Sequence, residues 1–437
     1  MKFEYFIKDN KTKIVCIIES EEEKMGYRAE GPYPKIEMVN NTVEFDYVAK
    51  NTHPDLVALL CILCFYPYIK DEVTFPFPVS QNFASAFNDT GLWLQEVVDG
   101  AYRPTNKMRI TNIDDNIIPY SGNKISISFG GGADSLALYS LYPNSIVIHE
   151  QTKLPNGTIV KENVVDTINY INKIGGTAIS FANTSRRGVS KPSGWATWAA
   201  CTANAVLLAQ DYDIGVILTG SVLGANFLYN GKKFVKGTTT KERRNKWLIA
   251  FERIGIPMIP ATAGLTEYGN MLLLKKNNLI DKAVWCFLDN GNNCHKCWKC
   301  FRRDTIINSI LPDNFSDDYW ERYNTETIKN KLKERPLYFG HIFSETLRNL
   351  SHIEWLKEYI PYDIENTGMW LHKYYPDNFN VFSEKISDEN KEFLIKAIKE
   401  QIEPMNKSNI QTVENWNYSF DPWKKIKSIY SAFEINE

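Results

Sequence analysis

The sequence predicts an α/β fold whose middle part is a parallel sheet, and three observations support this prediction. Apolar strand-like segments alternate with helical patterns between residues 124 and 220. Three consecutive glycines stand where the first of these strands leads into the first helix. Four of the eight cysteines fall within fifteen residues further along the chain. Alternating strands and helices build parallel sheets that are covered on both faces, and such sheets bind ligands beyond the carboxyl ends of their strands.

The bulk composition is that of an ordinary globular protein with two or three domains. The chain has 437 residues, 43% of them hydrophobic and 23% charged. The formal net charge of −2 argues against a broad nucleic-acid-binding surface, so we expect no direct nucleic-acid binding. The first residues lack the pattern of a signal peptide, and the apolar run from 56 to 68 is too short to cross a bilayer. We therefore expect a cytoplasmic protein without a membrane segment.

Residues 1 to 118 are predicted to form a mixed α+β domain. An apolar helix is expected from residue 56 to residue 65. Cys61 and Cys64 form a Cys-x-x-Cys pair on this helix, but the aliphatic residues around them favour packing in the core. The expected strands, which are bounded by turn residues, are 2–7, 13–18 and 42–49.

Residues 119 to 312 are predicted to form the parallel-sheet domain, and residues 313 to 437 a helical region. The central strands are expected at 124–129, 145–150, 176–182 and 214–220, with helices at 135–142, 161–174 and 195–210. In the last region, apolar residues spaced by three and four predict helices at 343–360, 387–402 and 421–433. Its lysine-rich faces are interpreted as solvated helix surfaces.

The segment that joins the first central strand to the first helix predicts an anion site. Gly130, Gly131 and Gly132 can adopt positive φ angles and carry no Cβ, so their amides can converge on one anion. The following helix adds its positive end, and Ser135 adds a hydroxyl. Asp134 can orient the loop or hold Mg²⁺ on phosphate oxygens. We expect a phosphate cradle, with a tight turn that binds no ligand as the alternative.

The cysteine cluster predicts a metal site. Cys286 is followed after seven residues by Cys294, Cys297 and Cys300, which are separated by gaps of two. Gaps of two let neighbouring thiolates face one ion, and four sulfurs complete a tetrahedron without an open position. We expect a structural zinc ion held by sulfur alone, although His295 lies between the ligands. An iron–sulfur cluster is the alternative, and disulfides are disfavoured in a chain without export signals.

The glycine loop and the cysteine cluster together resemble a known family. Residues 130 to 135 read Gly-Gly-Gly-Ala-Asp-Ser, which resembles the Ser-Gly-Gly-x-Asp-Ser pyrophosphate loop (PP-loop) of the ATP-pyrophosphatase superfamily. No Gly-Lys-Ser or Gly-Lys-Thr follows, so the loop is not a Walker A motif. With Cys-x7-Cys-x2-Cys-x2-Cys-x2-Arg, which ends at Arg303, the chain resembles the QueC-like branch, the 7-cyano-7-deazaguanine synthases. Gly130 replaces the first serine of the family loop, and the nearby Ser128 can supply a hydroxyl.

The resemblance implies a fold, cofactors and a reaction. The fold is a HUP-like core, that of adenine nucleotide alpha-hydrolases, and the cofactors are ATP, Mg²⁺ and Zn²⁺. The founding enzyme adenylates the carboxylate of 7-carboxy-7-deazaguanine, ammonia displaces AMP, and a second activation dehydrates the amide to a nitrile. Asp134 and Ser135 are the implied catalytic residues. The residues implied to hold the nucleotide are Ser128, Gly130, Gly131, Gly132, Asp134, Ser135 and Arg303.

The chain also departs from this family, which keeps alternatives open. Gly194 and Trp195 stand near the place of an Arg-Asn pair in the family, and Glu267 stands in place of a lysine. A remodelled substrate pocket is therefore expected, for an acid that the sequence does not specify. One alternative is a catalytically weak nucleotide-binding module that serves a partner protein, as in QueC-like proteins of bacterial defence systems. Another is an enzyme that adenylates for thiolation. A homodimer also remains open.

Basic residues follow the third and fourth central strands, where a ligand is expected. We interpret most of them as solvated loop charges, with a phosphate clamp as the alternative. They are Arg186, Arg187, Lys232, Lys233, Lys236, Lys241, Arg243 and Arg244.

Overall fold

The computed structural model describes most of the chain. The described residues are 1–27, 35–50, 52–69, 72–88, 108–153, 157–160, 164–185, 188–191, 198–228, 231, 233–234, 239–286, 293–361, 368–376 and 388–417.

A nine-stranded sheet lies at the centre of the described structure, and two small sheets accompany it. The strands of the large sheet are rich in β-branched and aromatic residues, which favour extended, pleated backbone. The strands are β1 (Lys2–Lys8), β2 (Lys11–Ile17), β3 (Met25–Tyr27), β4 (Lys35–Met38), β5 (Thr42–Phe45), β6 (Glu72–Val73), β7 (Arg109–Ile110), β8 (Lys124–Phe129), β9 (Ile146–Lys153), β10 (Ile159–Val160), β11 (Thr177–Asn183), β12 (Ser190–Lys191), β13 (Ile214–Thr219) and β14 (Met258–Ile259).

Five neighbouring strands of the large sheet are parallel, in the spatial order β11-β9-β8-β13-β14. Numbered along the chain from β8, this is the order 3-2-1-4-5 of a doubly wound sheet. The chain direction across the sheet reverses between β8 and β13, which is where doubly wound sheets bind ligands, beyond the carboxyl ends of the strands. The predicted α/β class with a parallel sheet is confirmed.

The first strands of the chain extend the same sheet. β5 pairs antiparallel with β11, β2 pairs with β5, and β1 lies outermost. The join is fixed by backbone hydrogen bonds from Asp46 to Ala182 (2.8 Å) and from Thr184 to Glu44 (3.1 Å). The small sheets contain β12-β4-β3 and β6-β7. Packing is therefore continuous between the regions 1–118 and 119–312.

Helices cover both faces of the sheet. They are α1 (Pro54–Phe65), α2 (Gln81–Asn88), α3 (Ala133–Leu141), α4 (Val164–Lys173), α5 (Ala203–Leu208), α6 (Leu223–Asn226), α7 (Thr239–Ile254), α8 (Glu267–Lys276), α9 (Trp298–Ile310), α10 (Glu326–Lys333), α11 (Gly340–Thr346), α12 (Gly368–Leu371), α13 (Asp388–Gln401) and α14 (Lys407–Glu414). Short 3₁₀ turns occupy Glu21–Lys24, Tyr66–Tyr68, Trp198–Thr202, Ile280–Lys282, Pro312–Asn314, Asp317–Tyr323, Arg348–Leu350 and Glu354–Tyr359. No helix within the described ranges combines the length and apolarity that a bilayer crossing requires.

Successive residues of the central strands face two separate cores. Ile127 and Phe129 pack with α3, α4, α8, α9 and the C-terminal helices. Ile146 and Ile148 pack on the other face with α1, α2, α5 and α7. The Tyr142 hydroxyl at the end of α3 donates to the carbonyl of Leu394 in α13 (2.9 Å), so the last helices belong to the first of these cores.

Two predicted helices differ in the structure. The segment 195–210 forms a 3₁₀ turn and the short α5, and its residues 195–197 lie outside the described part. The segment 343–360 is helical only to Thr346 and continues as 3₁₀ turns. In this segment Leu347, Leu350, Ile353, Leu356 and Tyr359 are all buried, and their uniform spacing of three matches the 3₁₀ period. The predicted helix at 421–433 lies outside the described residues.

Candidate functional site

The glycine loop lies at the reversal of the strand order. It leaves β8 after Phe129 and enters α3 at Ala133, beside the end of β13. Gly220 follows β13, and a Cβ at this position would lie 2.8 Å from the carbonyl carbon of Asp134. No motif in the sequence marks this glycine, which lets the first turn of α3 approach the end of β13. The loop therefore lies at the position where doubly wound sheets bind ligands.

One glycine of the loop is required by its backbone geometry. Gly131 has φ +74°, and a Cβ there would lie 2.5 Å from Cγ2 of Val164. A Cβ on Gly130 would meet nothing within 4 Å, and one on Gly132 would lie 3.9 Å from the Val284 carbonyl oxygen. The Gly131 carbonyl accepts a hydrogen bond from the backbone N–H of Val284 (2.8 Å). The loop is thus fixed at its middle residue and open at Gly130.

The two predicted hydroxyl groups are bonded within the protein. Ser135 Oγ donates to the carbonyl of Gly132 (3.1 Å), and its residue is buried. Ser128 Oγ donates to the carbonyl of Cys201 (2.6 Å). Either hydroxyl must give up this bond before it can donate to a phosphate.

Asp134 is held by two helices that follow later in the chain. Its Oδ1 accepts hydrogen bonds from Nδ2 of Asn270 in α8 (3.0 Å) and from Nη2 of Arg303 in α9 (3.3 Å). The Asp134 side chain is 30% exposed, whereas that of Arg303 is 3% exposed. The structure therefore brings the predicted residues Asp134 and Arg303 together and leaves part of the carboxylate facing solvent.

Glu267 forms a buried ion-pair layer with the two arginines. Its carboxylate lies 2.7 Å from Nε of Arg302 and 3.5 Å from Nη2 of Arg303. Burial opposes ionisation, but the charges of the two arginines outweigh it and lower the pKa of Glu267. This glutamate, which the sequence analysis identified only as a departure from the family, neutralises part of the charge that α9 brings to the loop.

Lys299 adds a further cation one turn before Arg303. Burial, reinforced by the nearby charge of Arg303, lowers the pKa of Lys299 to about 8. Its spacing of four from Arg303 places both residues on one face of α9. That spacing was visible in the sequence, but Lys299 stands between two cysteines and was overlooked as a site residue.

Buried polar atoms beside Asp134 lack partners among the described residues. They are Nε and Nη1 of Arg303 and Oδ1 of Asn270. Buried polar groups in proteins are normally hydrogen-bonded to protein or to ordered water. These atoms therefore mark a place beside the loop where further donors and acceptors are expected.

The four predicted cysteines form one cluster that can hold a metal ion. All four Sγ atoms lie within 4.8 Å of one another. Sγ of Cys286 lies 3.9 Å from that of Cys297, and Sγ of Cys294 lies 3.8 Å from that of Cys300. Four zinc–sulfur bonds of about 2.3 Å in a tetrahedron separate the sulfurs by about 3.8 Å, whereas a disulfide requires about 2.05 Å. The donor set fits a tetrahedral ion.

The cluster also begins helix α9. Cys297 is the N-cap residue, and its Sγ accepts the backbone N–H of Cys300 (3.4 Å). Hydrogen bonds from Cys300, opposed by burial, lower the pKa of Cys297 to about 4, whereas the hydrogen bond with Cys297 raises the pKa of Cys300 and burial raises that of Cys294. His295 instead lies 2.9 Å from Oδ2 of Asp304 and 2.7 Å from the Tyr319 hydroxyl. Among the described residues, the cluster contains sulfur ligands only.

Several further cysteine and polar residues are engaged elsewhere in the protein or cannot be assigned. Cys61 and Cys64 are buried in α1, where burial raises the pKa of both thiols. Gln151 donates to Ser180 Oγ (3.0 Å), and His149 is buried with Nδ1 2.9 Å from the Phe129 carbonyl. Gly194 lies outside the described residues, as do the side chains of Arg186, Arg187, Trp195, Lys232, Lys236, Lys241, Arg243 and Arg244.

Comparison with known proteins adds one partial match. A family of unknown function, DUF6395, matches residues 246–417. The matched segment begins within α7 and contains α8, the cysteine cluster, α9 and the later helices, whereas the glycine loop precedes it. No curated protein and no solved structure matches the chain.

Proposed function

We propose that the chain binds ATP at the glycine loop and uses it to activate a carboxylate or an amide as an adenylate. The observation that carries this proposal is the position of Gly130 to Ser135 at the reversal of the 3-2-1-4-5 sheet, with Asp134 tied to the buried Arg303. In this proposal the five parallel strands form a HUP-like core.

The charges around the loop suit a polyphosphate. The loop amides and the N-terminus of α3 provide donors, and Arg303 and Lys299 provide positive charge. The exposed part of the Asp134 carboxylate suits Mg²⁺, a hard cation that prefers oxygen ligands and bridges phosphates. The residues present therefore fit both ATP and Mg²⁺.

The proposed reaction needs no side-chain nucleophile. A substrate carboxylate oxygen attacks the α-phosphorus, the bond to the bridging oxygen breaks, and pyrophosphate leaves. Ammonia then attacks the acyl carbon, loses a proton, and AMP leaves as an amide forms. The chain's task is to align the reactants and to neutralise phosphate charge. This is a C–N bond-forming ligase of the QueC-like type, with 7-carboxy-7-deazaguanine as the first substrate to test.

A second candidate is ATP binding without turnover, in a module that acts through a protein partner. It is favoured by the hydroxyls of Ser128 and Ser135, which are both engaged by backbone carbonyls. Gly130 replaces the serine of the family loop, so the loop lacks the side-chain donor expected at this position. In both candidates the cysteine cluster holds a structural Zn²⁺.

The test measures AMP and pyrophosphate released from ATP and Mg²⁺, with and without 7-carboxy-7-deazaguanine and ammonium. We expect substrate-dependent AMP, reduced at least about 100-fold in Asp134→Ala because the aligned carboxylate is lost. Asp115→Ala, at an exposed turn, is the matched control and keeps the activity. ATP binding without any AMP contradicts turnover with this substrate and favours the second candidate, and no ATP binding contradicts both.

A further inference from the structure

We propose that the cysteine cluster positions the glycine loop, so that metal binding at the cluster is coupled to anion binding at the loop. The positioning of the loop by the cluster depends only on contacts within the chain. The coupling to anion binding rests on the proposed function, because it needs an anion at the loop. Two protein segments, here called the first arm and the second arm, connect the cluster to the loop.

The first arm is residues 283–286, which lead into the cluster. Val284 donates its backbone N–H to the carbonyl of Gly131 (2.8 Å), and Cys286 follows two residues later. The Val284 carbonyl oxygen also lies close to Gly132, 3.9 Å from where its Cβ would be. The first arm therefore holds Gly131, the middle residue of the loop, by a backbone hydrogen bond.

The second arm is the first part of α9, residues 297–303. It starts at the cluster residue Cys297 and places Nη2 of Arg303 3.3 Å from Oδ1 of Asp134. Arg303 follows the cluster residue Cys300 by three positions, less than one turn of a rigid helix. The second arm therefore fixes Asp134 just after the loop.

The two arms meet at the cluster. The 3.9 Å approach of Cys286 Sγ to Cys297 Sγ joins a residue of the first arm to one of the second. Asn293 Oδ1 also accepts backbone N–H groups from Trp285 (3.1 Å) and Cys286 (3.3 Å). One ion bonded to four sulfurs would hold both arms together. Without the ion, only the hydrogen bonds to the Asn293 side chain and the surrounding packing would connect the arms. One ion would thus hold both the middle of the loop, at Gly131, and Asp134, which follows it.

The first test follows hydrogen exchange of backbone amides in the full chain, loaded with one Zn²⁺ or stripped by a chelator. We expect exchange at residues 130–136 to become about tenfold faster on stripping, because the contacts that hold Gly131 and Asp134 lose their common anchor. Helix α1, which packs on the opposite face of the sheet, is the internal reference and stays unchanged. Unchanged exchange at 130–136, with faster exchange at 294–303, would overturn the proposal.

Two variants and one control variant keep the test decisive if stripping unfolds the whole chain. Cys294→Ser is expected to lose the metal and to reproduce the faster loop exchange, whereas Cys201→Ser keeps the metal because Cys201 lies outside the cluster. Arg303→Met removes the second arm's contact while all four cysteines remain. Faster exchange at 130–136 in its zinc-loaded form supports the coupling, and exchange equal to that of the unaltered protein contradicts it.

The second test measures ATP affinity by calorimetry in the zinc-loaded and stripped chains. We expect about tenfold weaker binding after stripping, and ATP should raise the zinc affinity by the same factor, because coupling of two binding sites is reciprocal. Equal ATP affinities contradict the coupling. Failure of ATP to bind either form contradicts the proposed function and leaves the exchange experiment to decide whether the cluster positions the loop.

Discussion

At Gly131 the chain turns from β8 toward α3 with φ +74°, and the side chain of Val164 fills the space that a Cβ would occupy. Both constraints act on the middle glycine only. Gly130 has open space around its Cα, so a side chain fits there. The glycines of the loop therefore serve different purposes, which their sequence alone does not distinguish.

Alanine substitutions separate these purposes. Gly131→Ala is expected to lower the free energy of unfolding by about 1–3 kcal/mol, because it combines left-handed backbone strain with a clash against Val164. Gly130→Ala is the matched control and is expected to change it by less than about 0.5 kcal/mol. Urea denaturation of the two variants measures both values. Equal losses of unfolding free energy in the two variants would contradict the conclusion that only Gly131 is constrained by its backbone and by Val164.

Some residues around Asp134 were predictable from the sequence, and others were not. Arg303 was named because it ends the cysteine motif, and the structure brings it to Asp134. Asn270 carries no sequence signal, since it is a single amide within α8 that reaches Asp134 only through tertiary packing. Glu267 stood out only as a departure from a family pattern, and its role became clear when α8 and α9 were seen to pack together.

At the scale of elements, Glu267 is the charged contact that joins α8 to α9. It is buried with Arg302 and Arg303, and removing one partner of a buried ion pair leaves the others without compensation. These buried ion pairs matter to the loop because α9 also carries Arg303, which holds Asp134.

Glu267→Gln is therefore expected to lower the free energy of unfolding by about 3–5 kcal/mol at pH 7. Glu354→Gln removes an exposed pair with Lys357 and should cost less than about 1 kcal/mol. The pKa of Glu267 is lowered from 4.5, so its contribution is present above pH 4.5 and is lost as the pH falls through the lower folded-state value. Denaturation curves at pH 7 and below pH 4.5 measure the free energy of unfolding of the variant and of the unaltered chain. The difference between these two free energies should be smaller at the lower pH. A constant difference would contradict the pairing.

The central strands were the elements best predicted from the sequence. Residues 124–129 form β8 with the predicted bounds, because a short segment of alternating apolar and polar residues there ends in glycine. The segment 343–360 was predicted poorly, since a spacing of three fits an α-helix and a 3₁₀ turn almost equally over a few residues. The pairing of β5 with β11 was not predictable, because strand patterns do not identify a distant partner.

At the scale of the whole molecule, the sheet lies between two cores that come from different parts of the chain. The face with Ile146 and Ile148 is covered by α1 and α2 together with α5 and α7. The face with Ile127 and Phe129 is covered by central helices and by helices that follow residue 313. Each flank therefore supplies part of the apolar cover of the central sheet.

Residues 119–312 alone are accordingly expected not to fold cooperatively. Removal of both flanks would expose large apolar areas on both faces, and burial of such area is the main stabilising contribution to folding. Circular dichroism during urea denaturation should show a cooperative transition for the full chain only. Adding residues 1–118 as a separate chain should improve the solubility of 119–437. A cooperative transition for 119–312 at the full-chain midpoint would contradict this expectation.

The pairing of β5 with β11 also sets an order of events during synthesis. Glu44 and Thr184, which bond across this join, are 140 residues apart in the chain. A ribosome adding about 5–20 residues per second needs roughly 7–30 s to make the intervening segment. During that time the edge of β5 that pairs with β11 in the folded protein lacks this neighbour. Unpaired edges of this kind recruit other strands, so nascent chains held near one another are most exposed to mispairing in this interval.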